Sequence, residues 1–273
     1  MLCYSTGSLP DRFTAPQIVE TLLPTPFRGV EFVVQPEHLR RADDRSYWLG
    51  FRMELEKRGM SVRNVHLGAP FLLGPVAHSP GLSSLNPSGR ALRLDAALAE
   101  ARIAEHLGSP YSTITTGLPE REGDFNAQEK LFRASLEEIV IKRPKSVKVA
   151  IEPEPEHVIR STRQLHKLCH AFPGEVFANF DVGHSFVAGE DPAESIRELA
   201  PHLSNIHLED IKDRVHKHLL FGEGDVDFRA VFVALRHIGY TGDITPDLYP
   251  FEDEAAETLR ASAEFLAGFG YYG

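Results

Sequence analysis

The chain has 273 residues, 42% hydrophobic and 25% charged, with 21 glycines and 19 prolines spread along it, which excludes a disordered or fibrous chain and suits one globular domain over 1–273. A net charge of −10 without any Lys/Arg run argues against a nucleic-acid surface, so no nucleic-acid partner is expected. The opening MLCYSTGSL lacks a signal-peptide pattern, no apolar stretch approaches the ~20 residues of a membrane span, and Cys3 and Cys169 form no CxxC pair, so the expectation is a cytoplasmic protein whose metal sites, if any, use His and carboxylates.

Short apolar runs alternate with stretches of helical period from end to end. The first run, LCYS (2–5), precedes a helix opened by Pro16 with Ile18, Val19 and Leu22 on one face. GVEFVV (29–34) leads to a helix carrying Trp48, Phe51 and Leu55 and ending near Gly59. SVRNVH (61–66) is followed by a long connection, 67–88, and a helix with Ser88 as candidate N-cap and Gly108 at its end. YSTITT (111–116) precedes a helix opened by Asp124, and VKVAIE (147–152) one marked by Val158, Leu165 and Leu168. VFANFD (176–181), SNIHLED (204–210) and GDITPDL (242–248) complete the strands, with helices opened by Pro192 and Asp227 and a last one through Leu259 and Leu266. Eight consecutive βα units with no linker and no GxGxxG turn predict an α/β fold, a closed parallel (β/α)8 barrel. The 67–88 connection is long enough to be a candidate lid, with Phe71, Leu72, His78 and Tyr249 as candidate pocket residues.

In such a barrel the carboxyl ends of all strands converge on one face. Here they read His66, Thr116, Glu152, Asp181, His207 and Asp247. Singly, Asp181 reads equally well as a turn cap and His207 as a satisfied buried imidazole. Together, Glu152, Asp181, His207 and Asp247 suit a divalent cation such as Mn²⁺, Mg²⁺, Zn²⁺ or Fe²⁺, because crowded buried carboxylates raise one another's pKa unless a cation compensates them. His184, in DVGH, and His216 and His218, in RVHKH, are a candidate second site, although HKH reads also as a solvated loop. His38, His106, His157, His166, His170, His202 and His237 are assigned to helices or surface connections without a role. GEGD (222–225) reads as the turn before the seventh helix.

The motifs NVHLG (64–68), AIEPE (150–154), FDVGH (180–184), NIHLED (205–210), FGEGDVDF (221–228) and DLYPF (247–251) resemble, in order and spacing, those of the xylose isomerase-like TIM barrels, which include tagatose 3-epimerase, hydroxypyruvate isomerase, inosose dehydratase and endonuclease IV. The resemblance implies Glu152, Asp181, His207 and Asp247 as metal ligands, His184 and His66 as substrate-binding residues, and Glu152 and Asp247 as the carboxylates that exchange a proton on a ketose carbon beside a metal-stabilised enediolate. It implies a small sugar-like substrate, a carbohydrate isomerase or epimerase, and a homodimer as an option. Two departures stand out. Asp247 replaces the family's usual Glu, one methylene shorter, and His216-x-His218 with His184 is similar to the extra metal site of the nuclease branch, whose strand-four histidine is here replaced by Thr115 and Thr116. A two-metal phosphoester hydrolase acting on a small metabolite is the alternative reading.

Overall fold

The computed structural model describes residues 1–9, 13–120 and 125–271. Its strands are β1 (Cys3–Ser5), β2 (Gly29–Val33), β3 (Ser61–His66), β4 (Tyr111–Ile114), β5 (Lys148–Ile151), β6 (Val176–Asp181), β7 (Leu203–Leu208) and β8 (Asp243–Pro246). They form one sheet in sequence order, every neighbouring pair parallel, and a parallel bridge between Leu2 and Ile244 brings the first and last strands together. The predicted (β/α)8 barrel is therefore the fold. Parallel strands covered on both faces need continuous apolar surface, and Val30, Val65, Val149, Ala150, Ile151, Phe180 and Ile206 are all buried.

The outer layer comprises α1 (Ala15–Leu22), α2 (Pro36–Leu39), α3 (Arg45–Glu56), α4 (Pro87–Leu107), α5 (Phe125–Lys142), α6 (Thr162–Ala171), α7 (Val182–Val187), α8 (Pro192–Leu199), α9 (Phe228–His237) and α10 (Ala255–Gly268). Asp191 and Asp227 cap α8 and α9 through their side chains, and Gly108 closes α4 at φ 72°, a left-handed conformation that favours glycine. Two helix starts differ from expectation. Asn86, not Ser88, caps α4: Pro87 has no N–H to offer and a φ suited to the first helical turn, so the Asn86 side chain accepts from Ser88 N and Gly89 N. Val158 lies in the connection before α6, which Ser161 caps. Asp124 falls outside the described residues. Two short helices, α2 and α7, had no periodicity long enough to reveal them.

Strand ends are set by the residues that leave the ladder. Pro246 is the last residue of β8, and Asp247 follows with its N–H donated to Leu208 O of β7 at 2.9 Å. After β7, both carboxylate oxygens of Asp210 accept backbone N–H groups from Gly222, Gly224 and Val226, which folds the GEGD segment into the expected turn. In the long third connection, Ser83 donates to Thr116 O at 3.0 Å and Ser135 to Leu82 O at 2.9 Å. Its second half is thus pinned, and Leu72 is part of the core, whereas Phe71 is exposed. Cys3 and Cys169 are free and buried, and no described helix is long and apolar enough to cross a membrane.

The cap assignment is testable by urea unfolding. Asn86→Ala is expected to lower stability by about 1 kcal/mol, whereas Ser88→Ala should stay within about 0.5 kcal/mol; the reverse order would return the cap to Ser88.

Candidate metal centre

Four strands deliver one ligand-type side chain each to the same point. Asp181 is the last residue of β6 and His207 the fifth of β7, while Glu152 and Asp247 directly follow β5 and β8. His207 Nδ1 lies 2.9 Å from Glu152 Oε1, 3.8 Å from Asp181 Oδ2 and 3.8 Å from Asp247 Oδ2. Two ligands each about 2.1 Å from a common ion stand roughly 3.0–3.4 Å apart, so these separations are of the right scale. Asp181 also caps α7, as its single-residue reading allowed: Oδ1 accepts from His184 N at 2.9 Å. The cap uses one oxygen and leaves the other facing His207.

The decisive feature is what these atoms lack. Glu152 Oε1, Asp181 Oδ2 and His207 Nδ1 are all buried and none has a hydrogen-bond partner, the 2.9 Å approach of the first and last lying outside hydrogen-bond geometry. Buried polar groups are ordinarily paired, and these three orphans, two carboxylate oxygens at 2.9 and 3.8 Å from one imidazole nitrogen, make a donor set that fits a divalent cation.

The residues behind them fix their aim. His207 Nε2 donates to Glu31 Oε2 at 2.8 Å, which orients the ring and turns Nδ1 toward the three carboxylates. Glu31, at register with Asn64 in the barrel interior, accepts from Asn64 at 2.7 Å and Asn205 at 3.3 Å on the same oxygen. His66 Nε2 meets the other oxygen of Glu152, Oε2, at 2.5 Å.

A second cluster adjoins the first. One donor atom from each of His184, Glu209, His216 and His218 lies within 4.8 Å of the others. His184 Nδ1 faces Pro153 O at 3.0 Å and His218 Nδ1 faces Asp247 O at 2.8 Å, so both rings donate from Nδ1 to a carbonyl and leave Nε2 as the nitrogen turned to other partners. His218 Nδ1 also meets Glu209 Oε2 at 2.5 Å. His216 is exposed, the other three buried. Within HKH only His218 is buried, while His216 and Lys217 are exposed, so the segment keeps the solvent exposure of a loop and brings one ring into the site.

Charge in this region is compensated by imidazole. Burial alone would depress His207, but Glu31 and Glu152 hold it well above the ordinary range. His66 is likewise raised to about 9 against burial by Glu152, and His184 to about 10 by Asp181, Glu154 and Glu209. Burial and then Asp181 push Glu209 up to about 8. Burial also raises Asp247, whereas the facing His207 and His66 overcome burial at Glu152 and hold it low.

The four predicted residues fall into two overlapping groups, Asp181, His207 and Asp247 in one and Glu152, Asp181 and His184 in the other, with His216 and His218 beside His184. Thr116 supplies no ligand, accepting instead from Ile159 N at 3.1 Å. Sequence reasoning missed Glu31 and Glu209, which it quoted only as letters within apolar runs, and it misplaced His157, which is buried against His78 with ring centroids 5.0 Å apart.

The family model described as the xylose isomerase-like TIM barrel matches residues 24–268. L-ribulose-5-phosphate 3-epimerase UlaE of Escherichia coli O1:K1 / APEC is 29% identical over 140 residues, 50% of this chain and 49% of that protein. Inosose dehydratase of Clostridium tetani (strain Massachusetts / E88) is 28% identical over 118 residues, 37% of this chain and 40% of that protein. These matches span at most about half the length of the curated relatives. Among solved structures, a D-tagatose 3-epimerase-like protein superposes with a TM-score of 0.78 at 20% identity, covering 98% of this chain and 96% of the other. The IOLI protein with a binding zinc atom superposes at 0.79 with 16% identity, covering 98% and 97%. At such identities the likeness is one of fold.

Gly183 lets Glu209 occupy its place. A Cβ at position 183 would stand 2.5 Å from both Cγ and Cδ of the fully buried Glu209. Gly→Ala inside a helix ordinarily stabilises, so the sign is diagnostic: Gly183→Ala is expected to destabilise by about 1–3 kcal/mol in denaturant unfolding. A neutral or stabilising result would mean that Glu209 is free to move aside.

Proposed function

The chain belongs to the xylose isomerase-like TIM barrel family, and from that premise we propose that it is a divalent-metal-dependent isomerase or epimerase of a small sugar, ketose or keto-polyol. The observation that carries this reading is the set of three buried, unpartnered donor atoms gathered about His207, with Glu152 Oε1 2.9 Å and Asp181 Oδ2 3.8 Å from its Nδ1, and Asp247 Oδ2 also 3.8 Å from that nitrogen. The similarity to an L-ribulose-5-phosphate 3-epimerase and an inosose dehydratase, both named for chemistry on polyhydroxylated carbonyl compounds, supports it. Two free cysteines and the acidic balance accord with a cytoplasmic enzyme acting on a small molecule.

Glu152, Asp181, His207 and Asp247 would hold the ion, which could be Mn²⁺, Zn²⁺, Mg²⁺ or Fe²⁺. When bound, it supplies Lewis acidity that polarises a carbonyl and acidifies the neighbouring C–H. The proton itself is the task of the carboxylates. Glu152, kept ionised by His207 and His66, is the general base, and the 2.5 Å contact from His66 fixes its Oε2. His66 is therefore assigned to positioning Glu152 as well as to the substrate pocket. Asp247 is the one of the four with appreciable side-chain exposure, 18%, and burial raises its pKa, so it can carry a proton on the substrate side. His184, anchored by Pro153 O, keeps its Nε2 for a substrate oxygen.

The second cluster favours a second reading on one specific observation, its own ligand-type set of His184, Glu209, His216 and His218. Two adjacent cations would suit hydrolysis of a phosphoester on a small metabolite. Solvent isotope exchange separates the two. With Mn²⁺-loaded protein in D₂O, ketoses and keto-polyols are expected to lose a C–H signal by NMR, and Glu152→Gln or Asp247→Asn should slow that exchange by about 10²–10⁴-fold. Absence of exchange across a broad panel, together with phosphoester turnover that a His216→Ala/His218→Ala variant abolishes, would establish the hydrolase instead.

A further inference from the structure

Apart from the strand-end site, at the turn that enters β7, three imidazoles face one another. His166 and His170 stand one turn apart on α6, whose opposite face is buried through Leu165, Leu168 and Cys169. His202 ends the 3-10 turn Ala200–His202 that joins α8 to β7. The ring centroids are 4.4 Å apart for His166 and His170, 5.2 Å for His170 and His202, and 5.7 Å for His166 and His202. One ring nitrogen from each lies within 4.8 Å of the other two.

The environment gives these nitrogens little else to bind. No side-chain hydrogen bond from any of the three rings is present among the described residues, and His202 Nε2 is buried without a partner. Charging the rings would set like charges beside one another, and leaving them neutral wastes a buried nitrogen. A cation shared among three lone pairs resolves both. Glu198, on α8, brings a carboxylate oxygen to 3.8 Å from His166 Nδ1 and is close enough to become a fourth ligand. Three imidazoles and one carboxylate, with all four side chains on the solvent side of the fold, suit a borderline cation far better than Mg²⁺ or Ca²⁺, which take oxygen.

We propose that His166, His170, His202 and Glu198 form a peripheral transition-metal site, taking Zn²⁺ or a chemically similar ion, that ties α6 to the end of α8 and the turn entering β7. The site is independent of the barrel mouth and of what the barrel mouth does. Binding clamps two neighbouring βα units from outside, so its effect is on stability and metal content, not on the strand-end chemistry.

The test uses the full chain stripped with a chelator and reloaded with Zn²⁺ or, for spectroscopy, Co²⁺. A His166→Ala/His170→Ala variant, altered only at partly exposed positions, is expected to retain about one equivalent less Zn²⁺ than the wild type after gel filtration, to lose the visible absorption of a low-coordinate Co²⁺–imidazole centre, and to lose part of the Zn²⁺-induced rise in Tm. His202→Gln, which removes one ligand from the other element, should reproduce the loss. A variant at the barrel mouth, Asp181→Asn, should leave this equivalent in place. Equal Zn²⁺ content, equal Co²⁺ spectra and equal Tm shifts in wild type and both imidazole variants would show that the rings merely stack, and would overturn the proposal.

Discussion

One carboxylate in the barrel's interior holds the strand-end geometry. Glu31 Oε2 accepts from His207, Asn64 and Asn205 at 2.8, 2.7 and 3.3 Å, drawing side chains of β3 and β7 onto a single oxygen from β2. The network extends outward as Thr113 donates to Asn64 at 2.8 Å and Thr245 to Asn205 at 3.0 Å. An ionised carboxylate at 1% exposure would be very costly alone; three donors make it tolerable, and once it is there it dictates which way His207 must face. The imidazole has only two nitrogens. Committing Nε2 to Glu31 commits Nδ1 to Glu152, Asp181 and Asp247.

The region is consequently overloaded with acid, and the protein answers at two levels. Glu31 and Glu152 are held ionised by imidazoles that burial alone would have left neutral, while Glu209 and Glu154 rise to about 8 and about 7, burial being the larger cause and neighbouring carboxylates adding to it. Protons on His66, His184, His207 and His218 thus provide one form of counter-charge. A divalent cation would provide another and would have to displace protons to enter, since a ligating imidazole is neutral. The same residues that keep the barrel mouth electrically acceptable are those whose donor atoms a cation would use.

Much of this was legible in the sequence because a parallel barrel converts order along the chain into position around a ring. Glu152, Asp181, His207 and Asp247 each terminate an apolar run, and the fold does the rest. Glu31, Asn64 and Asn205 were not recognised for the opposite reason: they sit inside such runs, where hydropathy treats a polar letter as noise. In a strand covered on both faces a polar residue demands a partner, so GVEFVV, SVRNVH and SNIHLED carried a signal that periodicity could not weigh. His157 lies in a connection that looks exposed, yet it is buried with its ring edge-on to His78. His166, His170 and His202 belong to two elements whose proximity is a tertiary fact. Ser88 lost the cap of α4 to Asn86 because Pro87 decides where the helix begins.

Asp247 links the two clusters. Its backbone is pinned on both sides: its carbonyl accepts from His218 Nδ1 at 2.8 Å, and the next N–H, of Leu248, donates to Ser8 Oγ at 3.1 Å. With the backbone so held, the short side chain has little freedom, and Oδ2 stands 3.8 Å from His207 Nδ1 and 3.8 Å from His218 Nδ1. A longer glutamate here could reach past the first cluster, whereas aspartate stays between the two. The number of ions and the identity of the proton carrier are therefore one physical question. If Glu152, Asp181, His207 and Asp247 held one ion, the His218 side of Asp247 would be left to carry a proton; if His184, Glu209, His216 and His218 held another, acid–base work would fall to Glu152.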